Sequence, residues 1–570
     1  GSVLMLLGEL GFVGVFIGGG IVAETFDAHM TIADIPEWGA LLATTRNYMR
    51  SAPWMILYPA LAFFVAVLGA NLLGEGLRRI IREAGINTAA LVSKRMALGI
   101  AAISLFTWYV VNQIGPGASY AKLASQVDPA RIVAHTQALV GLQSDDPGFG
   151  TAGARAAAEY LAEQLEDLGA LPAATTQDYM QPVERWRVRR LSEPLLQAAV
   201  TGTDEWHSLT CGADFAETIE RHGGAGQADG TLLFVGFGRR EYAYRDYRGL
   251  DLQERVVLVR GENMPAGFDN EALIRGASAV LILTDDIALR LDAVSADDDV
   301  LASPSLPILW VRPAAIEPWL SAVGYASGDL DALIMELTTS GRAPGWATLD
   351  LPLRVRARVE LGAPEVATGY NVLAILPGND LALDAQALLV STGYDLPEPL
   401  PGRLALAPSD GPAGAAMLLE IVRLWRAESF KPRRAVLLCF WAGGHLHNDG
   451  ALTYEAVRSP YVSLEREASL RLDNVGGGGA PDDAALTVTG PANAPLAALI
   501  VRSAGVLEVP ATAALREDPS PGGTVRLTWP GAPDVYSGAD TLERLSADRL
   551  GQVGQLLNLT LITATRQYHY

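Results

Sequence analysis

The sequence predicts a multidomain protein in which α-helical transmembrane segments are followed by an α/β/α sandwich that carries an inserted β-rich domain. Three observations predict it. Long uncharged apolar runs are confined to roughly the first 115 residues. Beyond them, short β-branched runs alternate with longer stretches whose apolar residues recur at helical spacing, which is the pattern of a layered α/β domain. Between two such stretches, a block from about 191 to 345 has strand-like runs of its own.

The composition agrees with this division. The chain has 570 residues, too many for one hydrophobic core. Its hydrophobic content of 49%, mean hydropathy of +0.20 and net charge of -21 are compatible only if apolar and acidic residues are segregated. The acidic balance excludes a phosphate-neutralising basic stripe, so no nucleic-acid partner is expected. Two cysteines, Cys211 and Cys439, exclude a disulfide framework or a cysteine-rich zinc site, and each is read as a small buried hydrophobe. The opening "GSVLMLLGEL" lacks a basic n-region and is read as the interior of a larger protein, or as following a cloning scar, and not as a signal peptide.

Each element follows in order. Three runs have the length needed to cross a bilayer: Val3 to Ala23, Trp54 to Leu73 and Met96 to Ile114. Arg78, Arg79, Arg82, Lys94 and Arg95 lie between the second and third, so the positive-inside rule makes that connection cytoplasmic and delivers everything after Gly115 to the outside. A multi-pass protein of the plasma or inner membrane is expected, with the lipid bilayer as a partner. After it, "DPGFGTAGARAAAEYLAEQLEDLGA" gives a Gly-rich turn and an amphipathic helix closed by Gly169. "GYNVLAILPG", "QALLVSTGYD", "GPAGAAMLLEIVRLW" and "RRAVLLCFWAGG" continue the strand and helix alternation. The insert contributes "GTLLFVGFG", "ERVVLVRGE", "AVLILTD" and "LPILWVR".

The stretch "IPEWGALLATTRNYMRSAPWMILYPALAFFVAVLGANLLGEGLRR" resembles the carboxy-terminal end of the permease subunits of dipeptide and oligopeptide ABC importers, over about Gly8 to Arg79. The resemblance implies an ATPase, a second permease subunit, a substrate-binding protein and peptides as partners. Such permeases end just after that arginine, whereas this chain continues. Their coupling loop lies upstream of the matched segment, so these residues alone are not expected to transport.

From about Val127 onward the chain resembles secreted or membrane-anchored zinc aminopeptidases and glutamate-carboxypeptidase-like proteins. "PGFGTAGARAAAEYLAEQLEDLGA" and "YNVLAILPG" carry that resemblance, and "YRGLDLQERVVLVRGE" with "ALIRGASAVLIL" resembles their protease-associated insert. The implied organisation is permease end 1–82, connection and further span 83–118, peptidase-like domain 119–190 and 346–570, and protease-associated insert 191–345.

That family holds two zinc ions with histidine and carboxylate ligands and uses a glutamate as general base. Its pattern maps onto this chain with losses. "VSTGYD" puts Gly393 where the first histidine ligand belongs, followed by Asp395. "SDGPAGAA" keeps Asp410 at the bridging position. "CFWAGGHLHNDGAL" puts Gly444 at the general base and His445 at the next ligand, with His447 beside it. "LRLDNVGG" keeps Asp473, and "VYSGADTLERL" puts Tyr536 at the last histidine. Asp410, Asp473 and His445 are therefore vestigial metal ligands, Gly393 and Tyr536 degenerate ones, and Asp395 and His447 candidate cleft residues.

A glycine cannot take a proton from water, so a catalytically inactive domain without a cofactor, holding or screening peptides, is expected. An active divergent metallo-aminopeptidase, with zinc on Asp410, Asp473 and His445, remains an alternative, as does a structural stalk. No Gly-x-Ser-x-Gly elbow supports a serine hydrolase, and "VGGGGAPDDAA" lacks the lysine of a phosphate loop.

Overall fold

The computed structural model describes most of residues 116–566, with breaks that include 239–246, 296–305, 399–406, 445–448, 457–464 and 532–539. Of the first 115 residues it describes 20–25, 28–33 and scattered positions between 64 and 78. The chain divides into two compact units, Gly1–Ile114 and Gly115–Tyr570.

In the first unit the expectation of helical transmembrane segments is corrected. Among the described residues no helix is long and apolar enough to cross a membrane. The end of the first expected span is a strand: Gly20–Thr25 pairs antiparallel with Ala28–Ala33, Gly20 opposite Ala33. The local reason is composition. Gly18, Gly19 and Gly20 disfavour a helix by about 1 kcal/mol each relative to alanine, and β-branched Ile21, Val22, Thr25, Thr31 and Ile32 suit an extended pair. Helical positions occur between 64 and 78, with Phe64, Leu68 and Leu72 exposed. The remainder of the first expected span, part of the second and all of Met96 to Ile114 lie outside the described residues.

The second unit is an α/β structure built on two sheets. Among the described residues the larger has ten strands. Its path runs Val294–Ser295, Met180–Arg187, Glu365–Leu376, Ala435–Trp441, Gln386–Gly393, Glu465–Leu472, Thr524–Thr528, Leu486–Pro491 and Ala511–Arg516, with Leu171–Pro172 paired off it. The middle is parallel: Gln386–Gly393 lies between Ala435–Trp441 and Glu465–Leu472, and the last of these pairs with Thr524–Thr528. Gly393 is level with Trp441, and Thr392 with Leu472, so the loops that follow these strands leave one edge together. That edge is where open parallel sheets place ligands.

One face of this sheet is sealed by helices. Gly411–Ala427 starts with Pro412 in its first turn, where the missing N–H costs nothing, and is buried along most of its length. Such burial demands satisfied polar groups. Glu420, fully buried, accepts from the Asp128 amide at 3.0 Å and from Arg423 at 2.6 Å. Trp425 Nε1 donates to Asn558 Oδ1 at 2.7 Å, which ties this helix to Ala547–Arg566. The strands present Leu388, Val390, Leu438, Phe440, Leu470 and Leu472 to this core, and the opposite face packs Leu389, Leu437, Cys439 and Trp441 against Tyr454.

The second sheet has eight described strands, all within residues 195–359. Thr348–Val359 is central, between Leu195–Val200 and Gly226–Val235, and Arg255–Arg260, Ala279–Leu283 and Ile308–Val311 extend it in parallel. Its core includes Phe234, Leu258, Leu281, Leu309 and Trp319. Arg190, just beyond the Met180–Arg187 strand, forms a buried ion pair with Glu217 of this sheet. Both cysteines are buried thiols outside any disulfide, as expected, and Cys211 Sγ also donates to Glu217 Oε2 at 3.7 Å.

Candidate functional site

The loops after the central parallel strands bring together five of the residues singled out in the sequence: Gly393, Asp395, Asp410, Gly444 and Asp473. His445 and His447 lie in the break 445–448 and Tyr536 in the break 532–539, outside the described residues.

Asp395 is buried and works on backbone. It accepts the Gly443 amide at 2.7 Å and the Gly444 amide at 3.4 Å, fixing the turn after Ala435–Trp441. Gly443 has φ of +63°, a left-handed conformation that a side chain would disfavour. The turn is held from behind by buried Asn371. Its Oδ1 accepts the Ala442 amide at 3.1 Å, and its Nδ2 donates to Gln181 Oε1 and the Gly450 carbonyl, both at 2.9 Å.

The glycines of the site touch one another. A Cβ added to Gly444 would stand 2.6 Å from the Gly393 Cα, and one added to Gly411 would stand 2.9 Å from the Gly393 carbonyl carbon. Non-bonded carbons rest about 3.5–4.0 Å apart, so the approach excludes a side chain at Gly444 and Gly411, while one at Gly393 would meet the Gly444 Cα tightly at 3.3 Å. Two positions that the resemblance assigns to a histidine ligand and a catalytic glutamate are thus a backbone contact.

Asp410 precedes the Gly411–Ala427 helix without capping it through its side chain, and its Oδ1 accepts the Asn474 amide at 3.0 Å. Asp473, at the end of Glu465–Leu472, accepts from Arg471 Nε at 2.5 Å, and Arg526 Nη1 lies 3.6 Å from its other oxygen. Arg471 also donates from Nη2 to the Gly444 carbonyl at 2.8 Å. Behind Asp410, the buried Asp540 accepts both the amide and the hydroxyl of Ser409, at 3.0 and 2.7 Å. Burial pushes the Asp540 carboxyl up to about 6. The Ser409 hydrogen bonds oppose the rise and the neighbouring charge of Asp410 adds to it.

Sequence reasoning passed over Arg471 and Asp540. A signal for the first exists in "SLRLD": an arginine between two leucines at the end of the strand, two residues before Asp473 and so on the same face. Asp540 had no such signal, since its partner is 131 residues away.

Among the described residues the donors do not suit a zinc pair. Among the described residues no group of three or more histidine, cysteine, aspartate or glutamate side chains is arranged to hold a metal. Asp473 is engaged by a guanidinium, and Gly393 and Gly444 offer no side-chain donor.

No protein-family profile matches the chain. A short stretch is similar to peptide permeases. It is 46% identical over 46 residues to the dipeptide transport system permease protein DppC of Alkalihalophilus pseudofirmus, covering 8% of this chain and 15% of that one. It is 56% identical over 43 residues to the glutathione transport system permease protein GsiD of Escherichia coli, covering 8% and 14%. The match therefore spans about one seventh of the length of these relatives. Among solved structures, the aminopeptidase from Aneurinibacillus sp. strain AM-1 superposes with a TM-score of 0.55 at 17% identity, over 79% of this chain and 97% of that one. The chain thus joins a short peptide-permease-like stretch to an aminopeptidase-like fold that accounts for most of its length.

Proposed function

We propose that the chain is a membrane-associated component related to peptide import, whose aminopeptidase-like unit engages peptides without cleaving them. The observation that carries this reading is the Gly393–Gly444 backbone contact, which leaves no room for a water-activating carboxylate. The permease-like stretch supports a place at the cell membrane, with an ABC-type ATPase, a second permease subunit and a substrate-binding protein as partners. The aminopeptidase-like unit would face the outside, where peptides arrive. In this reading the protease-associated insert, expected at 191–345, runs on through the strand Thr348–Val359 of the second sheet, the residues from 119 to 190 and those after Val359 form the peptidase-like domain, and no cofactor is needed.

The test is calorimetric titration of the full chain with short peptides, run beside assays of amino-acid release from chromogenic aminoacyl substrates in added zinc. Heat of binding without release supports the reading. Chelator-sensitive release overturns it in favour of an active metallo-aminopeptidase. Absence of binding, together with no capture of a substrate-binding protein, leaves a structural stalk.

A further inference from the structure

We propose that the Arg471 guanidinium takes over the charge that a metal would carry at this sheet edge, so that the cleft is held together by an internal cation and is indifferent to divalent ions. The inference concerns how the cleft is built and does not depend on whether a peptide occupies it.

The placement follows from the strand. Residues two apart in an extended chain share a face, so Arg471 and Asp473 point the same way from the end of Glu465–Leu472. Arg471 reaches one oxygen of Asp473 at 2.5 Å and the Gly444 carbonyl at 2.8 Å. It therefore bridges the retained acidic ligand position and the loop that the resemblance makes catalytic. Its side chain is only 10% exposed, whereas Arg526, its register partner on the neighbouring strand, is 50% exposed and lies 3.6 Å from the second Asp473 oxygen. The two arginines together outweigh the single carboxylate.

A guanidinium suits this task because its planar array of five donors can serve a carboxylate and a carbonyl at once, and it stays charged at any working pH. A divalent cation approaching Asp473 would meet the hydrogen-bonded charge of Arg471 and, 3.6 Å from the other oxygen, that of the half-exposed Arg526. The same arrangement explains why Gly393 and Gly444 can close on each other. With the carbonyl of the Gly444 turn anchored to Arg471 and its amides to Asp395, the loop is tied on both sides by side chains of this chain.

The experiment uses the full chain and four variants: Arg471→Met, Arg471→Lys, Asp473→Asn and the double variant Arg471→Met/Asp473→Asn. Thermal unfolding is followed with zinc chloride, with EDTA and with neither, and zinc binding is measured by competition with a chromophoric chelator. Wild type is expected to unfold at the same temperature in all three conditions. Arg471→Met is expected to lose several degrees because Asp473 is left partly buried with only the half-exposed Arg526 beside it. Arg471→Lys is expected to recover part of that loss, and the double variant to recover part as well, since a neutral amide needs no counter-charge. Zinc that does not bind wild type, or that binds regardless of Asp473, agrees with the proposal. It is overturned by saturable zinc binding to wild type that Asp473→Asn abolishes, by an Arg471→Met variant as stable as wild type, or by single-variant losses that simply add in the double variant.

Discussion

Substituting Gly444 by alanine adds one methyl group at the centre of the site, and its consequence can be worked from distances. The new Cβ would lie 2.6 Å from the Gly393 Cα, 3.3 Å from the Gly393 amide nitrogen and 3.5 Å from the Trp441 carbonyl oxygen. Reaching ordinary contact requires the two loops to separate by about 1 Å. They cannot part freely. Gly393 and Trp441 are paired in the parallel ladder, Asp395 holds two amides of the turn, and Arg471 holds the Gly444 carbonyl. Overpacking of a constrained site costs about 1–3 kcal/mol. Gly444→Glu, which restores the carboxylate the resemblance calls for, is expected to lose more, because its charge enters beside Asp395, and to gain no hydrolysis. The assay is the urea midpoint of the full chain, with Gly505→Ala as the control. Gly505 lies inside the Pro495–Leu507 helix with nothing within 4 Å of an added Cβ, so alanine there is expected to stabilise by roughly 0.5–1 kcal/mol. A Gly444→Ala midpoint equal to wild type, or zinc-dependent amino-acid release by Gly444→Glu, would refute the packing argument.

Three further outcomes follow from the structure. Asn371→Ala removes three hydrogen bonds of a buried amide and leaves the Ala442 N–H and Gly450 carbonyl without it. A loss of about 2–4 kcal/mol, read by denaturant unfolding, is expected. Asp540 has its carboxyl raised from 3.8 to about 6, so its contribution to stability is fully present below about pH 4 and is lost as pH climbs through 6. The shift corresponds to roughly 3 kcal/mol at 1.36 kcal/mol per unit, so Asp540→Asn is expected to flatten the stability profile between pH 4 and 7, and a profile parallel to wild type contradicts this. Arg187, 3% exposed, is paired with Glu398 at 3.2 Å, and Arg187→Met is expected to destabilise by about 1–3 kcal/mol while Arg187→Met with Glu398→Gln recovers part of it in the same unfolding assay.

Much of the second unit was legible because its signals are local. The β-branched runs "ALLVSTG" and "AVLLCFW" are the strands Gln386–Gly393 and Ala435–Trp441, and the proline-led apolar pattern of "GPAGAAMLLEIVRLW" lies in the helix Gly411–Ala427. Hydropathy misleads at the first expected span, where apolar length and the flanking residues point to a helix although the glycines and β-branched residues favour the hairpin that Gly20–Thr25 makes with Ala28–Ala33. At the site, the residue identities showed what was lost at Gly393 and Gly444. They could not show that the two backbones close on each other, because that contact depends on the register of strands about 50 residues apart in sequence. Arg471 was overlooked for a related reason: its meaning lies in the Gly444 carbonyl, which only folding brings to it.

The most direct test is diffraction at the zinc absorption edge from crystals of the full chain grown with excess zinc. A guanidinium joining Asp473 to the Gly444 carbonyl, with no anomalous peak between Asp410 and Asp473, is the predicted result. An anomalous peak bonded to those two aspartates, with Arg471 turned away, would contradict the account.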